Sequence, residues 1–345
     1  MTSMWSRWQR SLGVAILALS LGAGLTLPAS RAGAATPVRI GYLPMLYYNA
    51  WYYADLQGWW ADTGIKPQFK TFSTGMPQIQ AFAAGELDIG SLGTVPLLLG
   101  SSKGMVNLQV IGIMGNVDNA FEIFVPGPSP IRSVPDLKGK TVALPMGTNW
   151  QLVFDAALRK HGLTTKDVMA INMAPADAAA ALLAGRIDAG MPHISQFFEL
   201  QTKHGFRPIF QGADMAKEPN PINIHIYDII VADADYARTN PAVVTKVLGM
   251  WFRVMEHWYA NFDRMNRWNE EYQSKMTGTP ITPAFTDFYW AHLSKETLQS
   301  NLRAFDRANP DNIWVALEGT ARFYDYTVDV NKLVNDSFLK ALAKP

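Results

Sequence analysis

Cysteine is absent from all 345 residues. Its absence excludes disulfides, thiol nucleophiles and cysteine-ligated metals, and with them the lipid-anchored kind of bacterial export signal. Also missing are His-Glu-x-x-His and any clustered His and carboxylate spacing, so no metal is expected. No Gly-x-Ser-x-Gly elbow occurs, and no Gly-x-Gly-x-x-Gly follows the first strand. Gly139-Lys140-Thr141 resembles the end of a phosphate-binding loop, but Val134 stands where the first glycine is required, and a strand instead of a helix follows. These gaps leave no cofactor and no enzymatic activity to expect. Long apolar runs are scarce too: only Leu12 to Leu27, just short of a bilayer span, comes close.

That run follows Arg7 and Arg10 and leads through Pro28 to the small residues Ala32-Gly33-Ala34, the order of a secretory signal. Cleavage is expected after Ala34, with Ala35 the nearest rival, giving residues 1–34 as a signal peptide and a periplasmic mature chain. An uncleaved membrane anchor is the alternative, weakened by Gly22, Gly24 and Pro28. The 30 Lys and Arg residues fall to 27 when Arg7, Arg10 and Arg31 leave with the signal, against 29 Asp and Glu, so the mature formal charge is −2. Such a balance argues against nucleic acid or an anionic membrane surface as partner. Roughly 310 mature residues suffice for two lobes, each with its own core.

Strand and helix signals alternate along the chain. Val38 to Tyr42, Gln68 to Phe72, Leu87 to Gly90 and Leu108 to Ile113 read as strands, and Tyr52 to Gly58 reads as part of a helix. Thr74-Gly75-Met76-Pro77 opens a helix with Ile79, Phe82 and Ala83 on one face, and Thr94-Val95-Pro96 opens another. After the Pro- and Gly-rich stretch from Pro126 to Pro135 the alternation restarts with the strand Thr141 to Leu144. Thr148, with Gln151 three residues on, reads as a capping box heading a helix to His161. Val168 to Asn172 is the next strand, and a helix from Pro175 to Leu183 follows. Ala83-Ala84-Gly85-Glu86-Leu87-Asp88-Ile89-Gly90 is echoed by Leu183-Ala184-Gly185-Arg186-Ile187-Asp188-Ala189-Gly190, so each half contains one helix-turn-strand unit. Beyond Pro221, Ile222 to Val231 reads as a strand, and Asn240-Pro241 opens a long helix through Trp251 and Trp258. The pattern is α/β, with mostly parallel sheets covered on both faces. The chain crosses between lobes twice, near Ala120 and near Asp228, which makes a hinge. Residues 35–121 and 227–345 are expected in lobe one and 122–226 in lobe two.

Open α/β sheets bind ligands outside the carboxyl ends of their strands, where helix starts present N–H groups to negative charge. Three starts qualify, at Thr74-Gly75, Thr94-Val95 and Thr148-Asn149, though each threonine could serve only as its own helix cap. The loop from Leu43 to Trp51 is unusually aromatic, and Tyr47 and Tyr48 are its candidates for solvent or ligand. Glu122 and Asp228 sit in the crossing strands, where a buried carboxylate needs a basic neighbour or a cationic ligand group. His193 follows the second copy of the repeated strand and is expected to face the cleft.

Several segments in this order resemble the taurine, aliphatic sulfonate and nitrate group of ABC-importer binding proteins. They are Ile40-Gly41-Tyr42, Phe72-Ser73-Thr74-Gly75, Ala83 to Gly90, Gly93-Thr94-Val95-Pro96, Asp136 to Lys140 with Ala143-Leu144-Pro145, Gly185 to Asp188, and Asn240 to Val244. The resemblance implies a type II periplasmic-binding fold, two lobes joined by a two-strand hinge, and docking of the closed form on an ABC permease with its ATPase. It also implies that Thr74, Thr94 and Thr148 lie at cleft helix starts and that Asp228 meets a ligand amine. The chain departs from the pattern at Met191-Pro192-His193 and in the Tyr-rich first loop. The expected ligand is a small polar solute, a sulfonate such as taurine; the alternative is a cationic or zwitterionic nitrogen compound enclosed by Tyr47, Tyr48, Glu122 and Asp228. A ligand-presenting sensor subunit is a further reading, and a monomer is expected. Thiamine-pyrimidine synthases share this fold but use a cysteine-rich motif inside cells, which the missing cysteine and the export signal oppose.

Overall fold

A computed structural model describes residues 35–344 except 45, 218–221, 223 and 278–279. The signal reading of residues 1–34, Met45 of the aromatic loop and the Pro221 boundary lie outside the described residues. Ten strands form two five-stranded sheets. In the first sheet the order is β2 (Ile65–Thr71), β1 (Thr36–Tyr42), β3 (Ile89–Gly93), β10 (Tyr227–Asp233) and β4 (Leu108–Asn116). In the second it is β7 (Met169–Asn172), β6 (Thr141–Leu144), β8 (Ala189–Gly190), β5 (Glu122–Val125) and β9 (Arg207–Gln211). β1 pairs in parallel with β2 and β3, and β6 with β7 and β8. The returning strand β10 enters antiparallel between β3 and β4, and β5 lies antiparallel between β8 and β9.

The first sheet carries α1 (Ala50–Leu56), α2 (Gly75–Ala83) and α3 (Thr94–Ser102); the second carries α4 (Asn149–Lys160), α5 (Pro175–Leu183) and α6 (Ile194–His204). After β10 come α7 (Ala234–Thr239), α8 (Pro241–Ala260), α9 (Phe262–Thr277) and α10 (Pro283–Ala291), followed by four shorter or intermediate helices. Among the described residues no helix is long and apolar enough to cross a membrane.

The repeated sequence unit is one structural device used twice. Gly85 and Gly185 end α2 and α5 with φ of +69° and +64°, a region that glycine enters without steric cost. Asp88 then accepts the backbone N–H of Arg39 at 2.8 Å, and Asp188 that of Thr141 at 2.8 Å. In each sheet an aspartate entering one parallel strand is therefore bonded to the backbone of the neighbouring parallel strand, β3 to β1 and β8 to β6.

Two details differ from the sequence reading. The buried face of α2 holds Gln78, Ile79, Ala81 and Phe82, while Ala83 is exposed, because the helix stops there. The return strand begins at Tyr227, not Ile222: the Ile226 N–H is taken by the Asp118 carboxylate at 2.6 Å, which ends ladder pairing before it starts. Continuous burial of Ile229, Ile230, Val231 and Ala232 then matches a strand covered on both faces. The helices beyond β10 return to the first sheet, where Asn301 bonds both the N–H and the C=O of Ile113, at 2.6 and 3.1 Å. Trp251, Trp258, Trp268, Trp290 and Trp314 sit in this part of the core. Asn266 accepts from the indoles of both Trp258 and Trp290.

Candidate ligand cleft

A cavity of about 510 Å³ opens between the two sheets' helices. Leu43, Leu46, Ser73, Ile281, Phe285 and Tyr289 line it from one side, and Trp150, Ala174, Pro175, His193, Ser195 and Glu199 from the other. Two small pockets continue it inward. One shares Trp150, His193 and Tyr289 with the cavity and adds Tyr47, Phe121 and Asp228. The other shares Leu43 and Trp150 and adds Gly75, Gly93, Thr148, Asn149 and Asp228.

The three expected helix starts are thus brought together, each in its own way. Thr74 precedes α2 in extended conformation without a side-chain cap bond, leaving the first-turn N–H groups of Gly75 and Met76 for an outside acceptor. Thr148 heads α4, but no capping box forms. Its hydroxyl donates to the Pro145 carbonyl at 2.6 Å, and Gln151 reaches past it to accept the Gly147 N–H at 2.7 Å. Thr94 is the first residue of α3 instead of its cap, and is fully buried. The acceptor at that helix start comes from the other sheet: Asn149 Oδ1 takes the Val95 N–H at 3.0 Å. Asn149 also lies so close to Gly93 that a Cβ there would fall 2.2 Å from its amide nitrogen.

Asp228 lies opposite Gly93 in the β3–β10 ladder, which sets its carboxyl at the α3 start. Burial pushes that carboxyl above its ordinary range, against the pull of the Tyr47 and Tyr48 hydroxyls. Tyr47 donates its hydroxyl to Asp228 Oδ2. Tyr47 and Tyr48, expected to meet solvent or ligand, are instead buried, with 3% and 0% exposure. The turn at 47–49 packs their rings on each other at 4.6 Å and on Tyr289 at 6.2 Å, because phenols this apolar gain more inside than on a loop surface. Only Tyr47 reaches a pocket wall.

His193 caps α6. Its Nδ1 accepts the Ser195 N–H at 3.1 Å, so the neutral ring carries its proton on Nε2. That atom is buried, without a hydrogen-bond partner, in a residue that lines both the main cavity and the Asp228 pocket. Burial draws the imidazole down to about 4. Glu122 belongs elsewhere. It lines none of these cavities, and its carboxylate is held in the second sheet by Gln211 at 2.7 Å and Gln201 at 3.5 Å. Burial pushes it up to about 7. Its observed partners are a pair of amides.

Trp150, Phe285, Tyr289, Ser73 and Glu199 were not anticipated. Trp150 follows Thr148-Asn149 directly, and a helix start at a strand's carboxyl end was the available signal. Phe285 and Tyr289 lie on α10, in a stretch that reads only as helical or irregular. Among the described residues no Lys or Arg lines the cavity or its two inner pockets, and no group of three His, Asp or Glu could hold a metal ion.

Comparison with known proteins follows this geometry. The NMT1/THI5 like family profile matches residues 46–261, more than half of the chain. A protein of Brucella abortus, provisionally named a binding protein, is 28% identical over 255 residues, covering 68% of this chain and 78% of that one. A Bacillus subtilis protein, provisionally named an aliphatic sulfonates-binding protein, is 25% identical over 304 residues, covering 83% and 82%. The structure of the alkanesulfonate-binding protein from Xanthomonas axonopodis pv. citri bound to MOPS superposes with a TM-score of 0.70 at 21% identity, covering 87% of this chain and 98% of that one. That likeness shows the periplasmic-binding fold.

Proposed function

Because this chain belongs to the NMT1/THI5-like family, we propose that it is the periplasmic substrate-binding component of an ABC importer, which captures a small organic sulfonate such as taurine by lobe closure. In this reading residues 1–34 are a signal peptide cleaved after Ala34. Residues 35–121 and 227–345 form one lobe, 122–226 the other, and the closed form docks on a permease with its ATPase. One observation carries the ligand class: the starts of α2, α3 and α4 border a single pocket that also holds Asp228. The first-turn N–H groups of α2 and α4 are the donors for sulfonate oxygens, since helix starts favour negative charge without a basic side chain. His193 Nε2–H adds a neutral donor from the second sheet's side. Asp228, already bonded by Tyr47, is the acceptor for an amine at the other end of the solute.

A cationic or zwitterionic nitrogen compound is the second reading, and Asp228 favours it: this is the one charged group of the inner pockets among the described residues. Calorimetry on the mature chain with taurine, ethanesulfonate and ethylamine separates the two. The sulfonate reading expects taurine and ethanesulfonate to bind and ethylamine not to; ethylamine binding without either sulfonate overturns it.

A further inference from the structure

The cavity is much larger than the solute just named, and much of its wall is apolar or aromatic. At about 30 Å³ per water, 510 Å³ holds roughly seventeen waters, far more room than short-bodied taurine fills. A pocket of this size ordinarily buries most of a much larger molecule. Voids beside apolar walls forfeit dispersion contacts on the open side, so the size calls for a ligand that fills it.

The walls state what would fill it. From the first sheet's side come Leu43, Ile281, Phe285 and Tyr289, the last two packed at 5.9 Å. Opposite stands Trp150. Its indole cannot swing in to close the space, because Nε1 donates to the Pro192 carbonyl at 3.2 Å and its ring meets Phe121 edge-on at 5.0 Å. Below it, Ala174, Pro175 and Ala176 keep the entry to α5 low and flat. Among the described residues Glu199 is the only charged lining group, and it already pairs with Lys203 at 3.1 Å. Among the described residues the outer cavity therefore offers aromatic and small side chains beside Ser73, Gln196 and Gln273, and no cation for a second anionic group.

We propose that the ligand carries a flat aromatic or heteroaromatic body which lies between Trp150 and the Phe285–Tyr289 face, an inference that rests on the sulfonate reading for its charged end only. Ring faces stack on rings with a preference beyond burial alone, so an arenesulfonate outbinds a two-carbon sulfonate at this site.

The test is calorimetry on the mature chain with four probes: taurine, benzenesulfonate, 2-naphthalenesulfonate and benzylamine, repeated on Ala176→Trp. Ala176 is exposed at the cavity wall, so the indole fills the space without disturbing the core. The expected result is at least tenfold tighter binding of the arenesulfonates than of taurine, with the difference abolished in Ala176→Trp. Taurine binding as tightly as the arenesulfonates overturns the aromatic body and leaves the sulfonate reading intact. Benzylamine binding in place of every sulfonate overturns the sulfonate reading and supports the aromatic body. No binding of any aromatic probe overturns the inference.

Discussion

Two buried titratable side chains pull stability in opposite directions as pH changes. His193 is drawn down to about 4 by burial. Its folded value lies below the unfolded one near 6.5, so the stability it contributes is present above that range and lost as pH falls through 4. Glu122 is pushed up to about 7. A raised carboxyl contributes fully below its unfolded value, and that contribution is lost as pH rises through 7. Between about pH 4 and 7 the two contributions change in opposite directions by similar amounts, so together they are expected to leave denaturant stability of the mature chain nearly flat across that window. Glu122→Gln removes the offsetting term, so stability is then expected to fall by on the order of 3 kcal/mol at most, at 1.36 kcal/mol per unit, as pH drops from 7 to 4; a pH dependence unchanged from that of the unaltered chain counts against this role. For binding, Asp228→Asn is expected to weaken taurine about tenfold or more, the loss of a charge-assisted bond, and to leave ethanesulfonate nearly unaffected. Equal losses for both solutes would mean that the carboxylate supports the pocket and does not meet the amine.

At the level of elements, the start of α3 depends on a residue from the other sheet. Asn149→Ala removes the acceptor of the Val95 N–H, a cap worth about 1 kcal/mol. The expected outcome is about fivefold weaker ligand binding, with the melting temperature of the empty protein lowered by a few degrees. Elements were also what sequence patterns resolved best. The repeat was legible because its glycines and aspartates do the same backbone work twice, at Gly85 and Asp88 and again at Gly185 and Asp188. The capping box at Thr148 misled because Gln151 found the Gly147 N–H one residue earlier, a choice that spacing does not register. Tyr47 and Tyr48 lie deeper than a loop pattern suggests, because a short turn at 47–49 folds them inward, with Tyr47 still on the wall of the Asp228 pocket. Phe285 and Tyr289 were illegible because a cavity wall arises from how separate segments meet, and an apolar helix face carries the same pattern whether it meets core or ligand.

Across the whole molecule, the two crossings are tied to each other as well as to the sheets. Asp118, on the outward crossing, accepts from the Ile226 N–H and from His225 on the return. Gly212 packs against the same outward segment so closely that a Cβ would lie 1.8 Å from the Asp118 carbonyl oxygen. Gly212→Ala is expected to lower the melting temperature by several degrees, a main-chain clash costing about 1–3 kcal/mol; thermal unfolding identical to that of the unaltered chain would show that the crossings have slack. The Asn149 contact has a different consequence at this scale. In the import reading proposed above, it favours the closed arrangement whether or not solute is inside, and so sets a floor on how much empty protein adopts the closed shape. In that reading a permease that responds to the shape would receive a false signal from each such molecule, and the floor would become ATP hydrolysed without cargo. The side chain at position 149 is thus where retention of solute trades against idle turnover.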